Sequence, residues 1–537
     1  MNERINLLDC TLRDGGYLND WNFGADNIVS VFERLVSAGI DIIEVGFLDE
    51  RRSFDLNRTI QPDTAAVNKQ FGKLNRGGAT TVAMIDFGTC DIKNIMPCED
   101  CWLDGIRVIF KKEKLKPALD FCHQIKEMGY KVFVQAVSIT SYSEDDLKEL
   151  AVGVNAFEPY ALSMVDTYGL LEPDSLVKIA RLLDRELKRD IVLGFHAHNN
   201  FQLGYANAIA LMNADLKHEL VIDGTLYGMG KSAGNTPIEL VAMKLNALFG
   251  KTYDIEQLQE AISTCVLDMY NRQPWGYTLF YYIAARNSCH PDYVSYLMSK
   301  RTLSITAINE ILHQIPAEKK LGKDMKMLEN LYLEYQKCEC SDEETVAELT
   351  AALTGRKVLA IGPGRSMVTR QEDIIQCIER EKPVVIPVNY IPRDIKPDYL
   401  FLTNSKRYLG LAGMLLDPEN KDIPIIATSN VRKTDGAFPY VLNFSSLIDE
   451  TAEYPDNSMV MLLRLLQKIG VNTVYLAGFD GYTMDNLNYL DTSMEYDFVK
   501  NKAQSLNSYA IAFLKTYILN TEIKFVTPSQ YCIEGEF

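Results

Sequence analysis

The sequence predicts an α/β protein: an N-terminal (β/α)8 TIM barrel with a helical extension, followed by a C-terminal Rossmann-like domain. Three observations support this prediction. The chain has 537 residues, which is too long for one ordinary hydrophobic core. Short apolar runs alternate with amphipathic stretches through the first half of the chain. A second alternation of the same kind begins at "GRKVLAIGPGRS", from residue 355 onward.

Eight apolar runs in the first half have the length and composition of parallel β-strands. They cover residues 5–9, 40–47, 80–87, 105–110, 131–139, 161–166, 191–196 and 218–224. Stretches such as "NIVSVFERLVSAG" and "LVKIARLLDREL" lie between them and have helical periodicity. Eight strands that are each followed by a helix are typical of a TIM barrel.

The pattern predicts four segments along the chain. They are a barrel over 1–250, a helical and aromatic-rich extension over 251–315, a charged helical connector over 316–354, and an α/β domain over 355–537. The last domain has strand candidates at "VLAIG", "PVVIPVN", "YLFLTN", "IPIIATSN", "TVYLAGFDG" and "IKFVTPS". An open, Rossmann-like sheet is expected there.

Composition and charge exclude several classes of partner. The net charge is −17 and the pI is about 5.0, whereas nucleic acids and anionic membranes need a basic surface. No apolar run reaches the length of a membrane span, and the N-terminus lacks the pattern of a signal peptide. The eleven cysteines lack zinc-site spacing. We expect free thiols, a cytoplasmic location and a homo-oligomer, most simply a dimer.

Polar side chains occur at or just after the predicted strand ends, which is where barrel enzymes build their active sites. These are Asp14, Glu44, Asp86, Asp166, His196 and His198. His196 and His198 are two residues apart in "GFHAHNN", so both imidazoles can reach one ion. With an acidic ligand from the first strand they form an oxygen and nitrogen donor set. This set suits Mn²⁺ or Mg²⁺ better than structural zinc.

The glycine-rich stretch "GTLYGMGKSAGNTPIEL" follows the eighth strand. By itself it indicates a turn that opens a helix. Beside the two histidines it becomes a candidate edge of the same pocket, where Asn235 offers an oxygen.

Five motifs in order resemble a known superfamily. "DCTLRDGG", "IEVGF", "VDTYG", "GFHAHNN" and "GMGKSAGN" are similar to those of the metal-dependent aldolases and acyl-lyases, which include hydroxymethylglutaryl-CoA lyase, isopropylmalate synthase and 4-hydroxy-2-oxovalerate aldolase. The resemblance covers about residues 3–300 and is greatest for the 4-hydroxy-2-oxovalerate aldolase branch. It implies a divalent-metal lyase that forms a pyruvate enolate from a 4-hydroxy-2-oxo acid, with an aldehyde as the second fragment.

The resemblance also implies roles for single residues. Asp14, His196 and His198 would be the metal ligands, with Asn235 in or near the coordination shell. Arg13 would face the oxygen that becomes the enolate.

Two further residues take implied roles around these. Glu44 would organise the arginine and a metal-bound water, and Thr167 would help to hold the substrate carboxylate.

The identity of the proton carrier is left open by one departure from the family pattern. Tyr17 stands where the aldolases commonly have a histidine, and a phenol with a pKa near 10 is a poor base at neutral pH. The alternatives are a metal-bound water and Tyr277 in "PWGYTLFYY", which resembles a later tyrosine of the aldolases. Aromatic packing is an equally good interpretation of Tyr277.

Two other functions remain open. A Claisen-type synthase that joins an acyl-CoA to a 2-oxo acid would use the same metal, arginine and histidine pair. The C-terminal domain, which loosely resembles surface-polysaccharide proteins with a sialyltransferase-like fold, could instead bind a nucleotide, nucleotide-sugar or sugar phosphate. Its candidate ligand residues follow predicted strands and are Gly362, Gly364, Asn404, Lys406, Arg407 and Asp480.

Overall fold

The structure is a computed structural model that describes residues 4–300, 302–337, 339–433, 435–449, 452, 454–484, 487–491, 494 and 497–532. The chain divides into two compact units, Met1–Pro291 and Asp292–Phe537. The predicted extension over 251–315 therefore contributes residues to both units, and the predicted connector over 316–354 lies within the second. In the described part of the chain, no helix has the length and apolar character needed to cross a membrane.

The first unit contains a closed barrel of parallel strands, so the predicted fold class is confirmed. Its strands are β1 (Ile5–Asp9), β2 (Ile42–Leu48), β3 (Ile60–Gln61), β4 (Thr80–Asp86), β5 (Gly105–Phe110), β6 (Lys131–Ala136), β7 (Ala161–Asp166), β8 (Val192–Ala197) and β9 (Leu220–Gly224). β1 pairs with both β2 and β9, which closes the ring, and the two-residue β3 is added beside β2.

Helices follow the barrel strands. They are α1 (Thr11–Asp14), α2 (Ala25–Ser37), α3 (Thr64–Phe71), α4 (Leu115–Glu127), α5 (Glu144–Phe157), α6 (Pro173–Glu186), α7 (Gly204–Met212), α8 (Ile238–Phe249), α9 (Ile255–Ala261), α10 (Leu267–Arg272) and α11 (Leu279–Arg286). Local sequence signals set their ends. Ser143 and Asp146 form a capping box at α5, and Pro173 occupies the first turn of α6.

The second unit also contains parallel strands, but they form open sheets instead of a closed barrel. They are β10 (Lys357–Ile361), β11 (Val384–Pro387), β12 (Leu400–Leu402), β13 (Ile425–Thr428), β14 (Tyr440–Leu442), β15 (Thr473–Ala477) and β16 (Glu522–Phe525). One sheet has the order β11-β10-β15-β16 and another has the order β12-β13-β14. A single parallel bridge between Val388 and Phe401 connects the edge at β11 to β12.

The helices of the second unit include a group that precedes its first strand. They are α12 (Pro291–Ser299), α13 (Ile305–His313), α14 (Met325–Gln336), α15 (Glu343–Leu353), α16 (Ser366–Thr369), α17 (Gln371–Glu381), α18 (Ser405–Gly410), α19 (Ala412–Leu415), α20 (Ser458–Lys468) and α21 (Asp497–Tyr517). Of these, α20 carries the densest row of buried apolar side chains, as expected for a helix packed on a sheet.

Candidate active site

Several of the polar residues predicted at the strand ends come together at one end of the barrel, whereas Asp86 is exposed and Asp166 accepts the backbone N–H groups of Leu170 and Leu171. Arg13 and Asp14 lie in α1, directly after β1, while His196 and His198 lie at the end of β8 and just beyond it. The loop after β9 brings Asn235 beside His198 through an antiparallel bridge. All five residues are buried. A solvated ion pair at the tip of the first strand is therefore excluded.

A tight turn positions Arg13 and Asp14. The backbone N–H groups of both residues donate to the Cys10 carbonyl, at 3.1 and 2.8 Å. Gly16 is required here, because a Cβ at this position would come within 2.0 Å of the Trp21 indole ring. That indole donates its Nε1–H to the Arg13 carbonyl at 2.8 Å, which fixes the turn from outside.

Both histidines direct their Nε2 atoms away from their protein partners. His196 donates Nδ1–H to the Asp223 carboxylate at 3.0 Å, and His198 donates Nδ1–H to the Lys231 carbonyl at 3.1 Å. Each Nε2 is then the lone-pair nitrogen that a metal requires. One donor atom from each of Asp14, His196 and His198 lies within 4.8 Å of the others.

The protonation states follow from the surroundings. Burial lowers the pKa of His198 to about 4, so its imidazole is neutral near pH 7. Burial would also lower the pKa of His196, but the neighbouring Asp14 and Asp223 carboxylates raise it above 6.5. Burial opposes ionisation of Asp14, yet the Arg13 guanidinium and the two histidines hold the pKa of this carboxyl well below its usual range.

The donor set fits a divalent cation. One oxygen of Asp14 accepts hydrogen bonds from the Lys231 N–H and the Asn235 amide, both at 2.9 Å. The other lies 3.6 Å from His196 Nε2 and also accepts from Arg13. Asn235 Oδ1 is buried and has no hydrogen-bond partner among the described residues. An oxygen of this kind beside a carboxylate and two imidazoles is what a hard or borderline metal uses.

A second set of potential ligands, Cys10 with His196 and Asp223, is less suited to a metal. Its members already bond to each other and to the barrel wall: Asp223 accepts from His196 and Arg107, and the Cys10 thiol donates to the Gly224 carbonyl at 3.3 Å. Burial raises the pKa of the Cys10 thiol well above its usual range, so it stays protonated. A metal needs the thiolate.

A network of buried charged side chains connects the candidate site to the barrel strands and holds it in place. Arg13 Nε donates to Glu44 at 2.8 Å, and Arg107 Nη1 donates to the same carboxylate oxygen at 2.9 Å. Arg107 also donates to Asp223, which orients His196. Opposite charges thus alternate from Arg13 through Glu44, Arg107 and Asp223 to the metal ligand.

Arg107, Asp223 and Lys231 were not predicted as site residues. The signal for the first two is present in the sequence, because "GIRVIF" and "VIDG" each place one charge inside an apolar strand. Parallel strands are buried on both faces, so such a charge requires a partner. Lys231 contributes its backbone, which no side-chain pattern reveals.

Comparison with known proteins agrees with this geometry. A family model described as HMGL-like matches residues 4–265. Residues 4–265 are therefore similar to the HMGL-like family. The predicted resemblance is therefore confirmed, and because the relatives of this family include aldolases and lyases, the domain is an enzyme of the aldolase and lyase kind. HMGL-like aldolases generally depend on a divalent metal, in agreement with the candidate ligands.

Individual relatives cover the same half of the chain. A 4-hydroxy-2-oxovalerate aldolase from Salinispora arenicola is 26% identical over 249 residues, 46% of this chain and 70% of the relative. A 2-isopropylmalate synthase from Methanocaldococcus jannaschii is 26% identical over 287 residues, 48% of this chain and 50% of the relative. A solved N-terminal domain of a candidate aldolase from Bacteroides vulgatus is 23% identical with a TM-score of 0.47, covering 55% of this chain and 96% of that one.

Tyr17 lies at the mouth of the HMGL-like barrel. Its ring packs edge-on against Trp21 and Phe47, and the Lys231 ammonium lies 5.2 Å from the ring centroid. The residue is 39% exposed. Burial and the negative charge of Asp14 raise the pKa of the phenol above 10, so it stays protonated at neutral pH.

The other two predicted residues of the HMGL-like domain are placed differently. Thr167 directly follows β7, and its hydroxyl accepts the Ser138 N–H at 2.8 Å, which leaves the O–H able to donate. Tyr277 is 57% exposed, and its ring lies 6.4 Å from that of Tyr282. Among the described residues, no contact joins Tyr277 to Asp14 or to either histidine.

In the C-terminal unit, the glycine turn after β10 is held by internal bonds. The Gly362 and Gly364 N–H groups donate to the carbonyls of Ala477 and Gly478, both at 2.8 Å. Asp480 accepts the Ser366 N–H at 2.8 Å and also the Ser366 hydroxyl. The backbone donors that could have bound a phosphate are therefore used by the protein itself.

Proposed function

We propose that the HMGL-like domain makes or breaks the C3–C4 bond of a 4-hydroxy-2-oxo acid, with pyruvate and an aldehyde as the two fragments. The observation that best supports this proposal is the position of Arg13. Its Nε and Nη1 are bonded to Glu44 and Asp14, while Nη2 has no hydrogen-bond partner in the described part of the chain. The guanidinium is thus oriented and has donors left for a substrate oxygen beside the metal ligands.

The metal site gives this arrangement its chemistry. Asp14, His196 and His198 would hold a divalent cation, Mn²⁺ or Mg²⁺, with Asn235 next to them. A cation bound there supplies Lewis-acid stabilisation to the oxygens of a 2-oxo acid. Arg13 adds a fixed positive charge in a buried site, where such a donor contributes about 3–4 kcal/mol to transition-state stabilisation. Glu44 and Arg107 are positioning residues, because they hold the Arg13 guanidinium in place.

The proton on the aldehyde oxygen is assigned to Tyr17. In condensation the carbon–carbon bond forms, and the aldehyde oxygen takes the phenol proton. In cleavage the 4-hydroxyl proton moves to the Tyr17 phenolate as the C3–C4 bond breaks, so this direction starts from the deprotonated residue. The neutral phenol favoured by the raised pKa is the form that condensation needs. Tyr277 is the weaker candidate, since it is exposed and packs beside Tyr282. Thr167 would donate its hydroxyl proton to the substrate carboxylate.

A Claisen-type synthase is the competing function, and the similarity to a 2-isopropylmalate synthase is what favours it. The two functions differ in one requirement. An aldolase activates the pyruvate methyl group by itself, whereas a synthase activates an acyl-CoA. The polysaccharide-related role, in which the C-terminal unit would use the barrel product together with a nucleotide-sugar, also stays a prediction.

The test is proton exchange at pyruvate. Full-length protein with Mn²⁺ and pyruvate in D₂O should lose the methyl proton signal in NMR spectra without any acyl-CoA. Arg13→Lys should slow this exchange by about 10²–10³-fold, because Nη2 and the fork geometry are lost. His196→Ala should lose the bound metal. Arg185→Lys, an exposed change on α6, is the matched control.

Two results would contradict the proposal. One is exchange that requires acyl-CoA, with thiol release in the presence of a 2-oxo acid, which would identify a synthase. The other is an unchanged metal content in His196→Ala, which would remove the metal site itself.

A further inference from the structure

A cavity of about 480 Å³ lies within the C-terminal unit, at the carboxyl ends of its parallel strands. Residues after four strands line it, including Gly364 after β10, Asn389 after β11, Asn404 after β12 and Asp480 after β15. Its volume is within the ~300–1,000 Å³ that is typical of small-molecule sites. The barrel chemistry does not use it.

The strand order puts this cavity at a topological switch point. From β10 the chain passes to β11 on one side, and it later returns to β15 on the other side of β10. The loops that follow β10 and β15 therefore leave the sheet in opposite directions, and a crevice opens between them. In open α/β sheets, ligands bind in such crevices outside the carboxyl ends of the strands. Pro363 and Gly481 line the cavity from these two loops.

Two polar groups in the cavity wall, on largely buried side chains, have no hydrogen-bond partner among the residues that the structure describes. Tyr531 is 4% exposed, and its hydroxyl forms no hydrogen bond with any described residue. Asn404 is also 4% exposed, and its Oδ1 accepts the Arg407 N–H at 2.8 Å as the N-cap of α18. Its amide NH₂ has no acceptor within the described residues. The two side chains are largely buried, but the hydroxyl and the amide nitrogen remain open to the cavity, where a polar occupant can bond to them.

Cations and a helix N-terminus make the cavity suitable for an anion. Lys300, Lys502 and Arg407 line it, and the N-terminus of α20 borders it at Ser458. Three carboxylates lie near these cations and already accept hydrogen bonds: Glu329 accepts from the Lys300 ammonium at 3.3 Å, Asp456 accepts the Tyr332 hydroxyl at 3.0 Å, and Asp480 accepts the Ser366 N–H at 2.8 Å.

Aromatic rings accompany these charges. The Lys300 ammonium lies 4.9 Å from the Tyr296 ring centroid and 4.6 Å from that of Tyr332, and Lys502 lies 5.7 Å from that of Tyr454. Flat rings beside amide and hydroxyl groups are suited to the face of a sugar or a base, and ammonium groups are suited to a phosphate.

We propose that this cavity binds a phosphorylated sugar, either the ribose phosphate of a nucleotide or a hexose phosphate. The phosphate is held by Lys502, Lys300 and the N-terminus of α20. The sugar hydroxyls bond to Asn404 and Tyr531. The glycine turn after β10 shapes the floor of the site but donates no hydrogen bond from Gly362 or Gly364 to the ligand, since both N–H groups are bonded internally. This inference is independent of the reaction proposed for the barrel.

The experiment uses the full-length protein in EDTA, so that no ligand is bridged to the barrel through a metal. Thermal shift and isothermal titration calorimetry are measured with UMP, AMP, UDP-glucose, glucose 6-phosphate, uridine and inorganic phosphate. At least one phosphorylated sugar should bind, more than tenfold more tightly than phosphate or uridine. Preference for the nucleotides or for glucose 6-phosphate then distinguishes the two sources.

Variants locate the binding. Tyr531→Phe removes only a hydroxyl that lacks a partner, so the melting temperature should not fall while affinity drops by about tenfold. Asn404→Asp keeps the oxygen that caps α18 but replaces the amide donors with a negative charge, so affinity should drop further. Lys502→Met should also weaken binding by about tenfold, and Lys515→Met, on the exposed end of the same helix, should not.

Three results would overturn the proposal. They are the absence of binding by every phosphorylated sugar, equal affinity for inorganic phosphate alone, and binding that survives in both Tyr531→Phe and Asn404→Asp.

Discussion

Arg107 shows how single buried charges organise this barrel. Its guanidinium is fully buried in β5, and it donates to Glu44 on β2, to Gln135 on β6 and to Asp223 on β9. Removing a cation from water costs several kcal/mol, so this side chain is tolerated only because its partners are fixed. In return it orients the carboxylates that hold Arg13 and His196. The positions of the reactive groups therefore depend on a residue that touches neither metal nor substrate.

Ionisation of Asp9 lowers the free energy of unfolding of the barrel as the pH rises. Burial raises the pKa of this carboxyl from 3.8 to about 7, although hydrogen bonds from the Thr11 N–H and hydroxyl oppose the shift. Between about pH 4 and 7 the folded chain binds a proton that the unfolded chain releases. The contribution of Asp9 to the free energy of unfolding is therefore greatest below pH 4. It decreases by up to about 1.4 kcal/mol per pH unit as the pH rises to 7.

Asp9→Asn should remove this dependence. The variant keeps an oxygen for the Thr11 N–H and cannot ionise, so its stability relative to the wild type should increase from pH 4 to pH 7. Denaturant unfolding at several pH values in EDTA measures the difference. Asp190→Asn, an exposed change before β8, is the matched control. Parallel profiles of wild type and Asp9→Asn would show that Asp9 ionises at its ordinary pKa.

At the scale of elements, the period of the apolar residues was enough to predict most of the structure. All eight barrel strands were predicted, with ends within a few residues, because buried parallel strands are near-continuous apolar runs. In the C-terminal unit β14 was missed. Its three residues are too short for a periodic signal, and pairing with β13 alone makes it a strand.

The sequence indicated which side chains come together better than how they are connected to the rest of the barrel. Asp14, His196 and His198 were predicted because strand ends and an i, i+2 histidine pair are local signals. The link from Glu44 through Arg107 to Asp223 crosses the barrel between β2, β5 and β9. Such a link depends on how the sheet closes into a barrel. No local sequence pattern shows which side chains then face each other across it.

The loop after β9 gives an element-scale prediction. A Cβ at Gly230 would lie 2.0 Å from the Asn235 amide nitrogen and 2.6 Å from Asp14 Oδ1. Gly230→Ala should therefore push the Asn235 side chain away from Asp14 and lower the affinity for Mn²⁺ by about 10–100-fold, as for loss of an outer partner of a metal ligand. Calorimetric titration measures the affinity. Gly78→Ala, which meets nothing within 4 Å, is the control, and an unchanged affinity in Gly230→Ala would contradict this account.

For the whole molecule, the two units have separate hydrophobic cores. One core joins barrel strands to side chains as far along the chain as Trp275, and another lies between Leu349 and Tyr531. The helices α9 and α10 belong to the first core, because Leu258, Cys265 and Trp275 are buried in it. A boundary at residue 250 therefore divides the first core, whereas all described residues of that core precede the boundary after Pro291.

This leads to a prediction about fragments. Residues 1–291 expressed alone should fold and bind Mn²⁺ with an affinity close to that of the full chain, because every candidate ligand and the complete first core are present. Residues 1–250 should not fold. They lose the burial of Leu258, Cys265, Val266 and Trp275, each contributing about 1.5–3 kcal/mol, and this loss approaches the ~5–15 kcal/mol stability of an ordinary domain. They also lose the hydrogen bond from the Trp275 indole to the Tyr227 carbonyl, at 2.9 Å.

Circular dichroism, thermal melting and Mn²⁺ titration of the two fragments distinguish the possibilities. A cooperative melt and metal binding by 1–291, with neither in 1–250, is the expected result. A stable 1–250 fragment would show that α9 and α10 are peripheral to the barrel. An unfolded 1–291 fragment would show that the barrel needs the C-terminal unit for its stability. In that case the two units would have separate hydrophobic cores and still depend on each other to fold. Units that fold independently should each melt cooperatively when isolated.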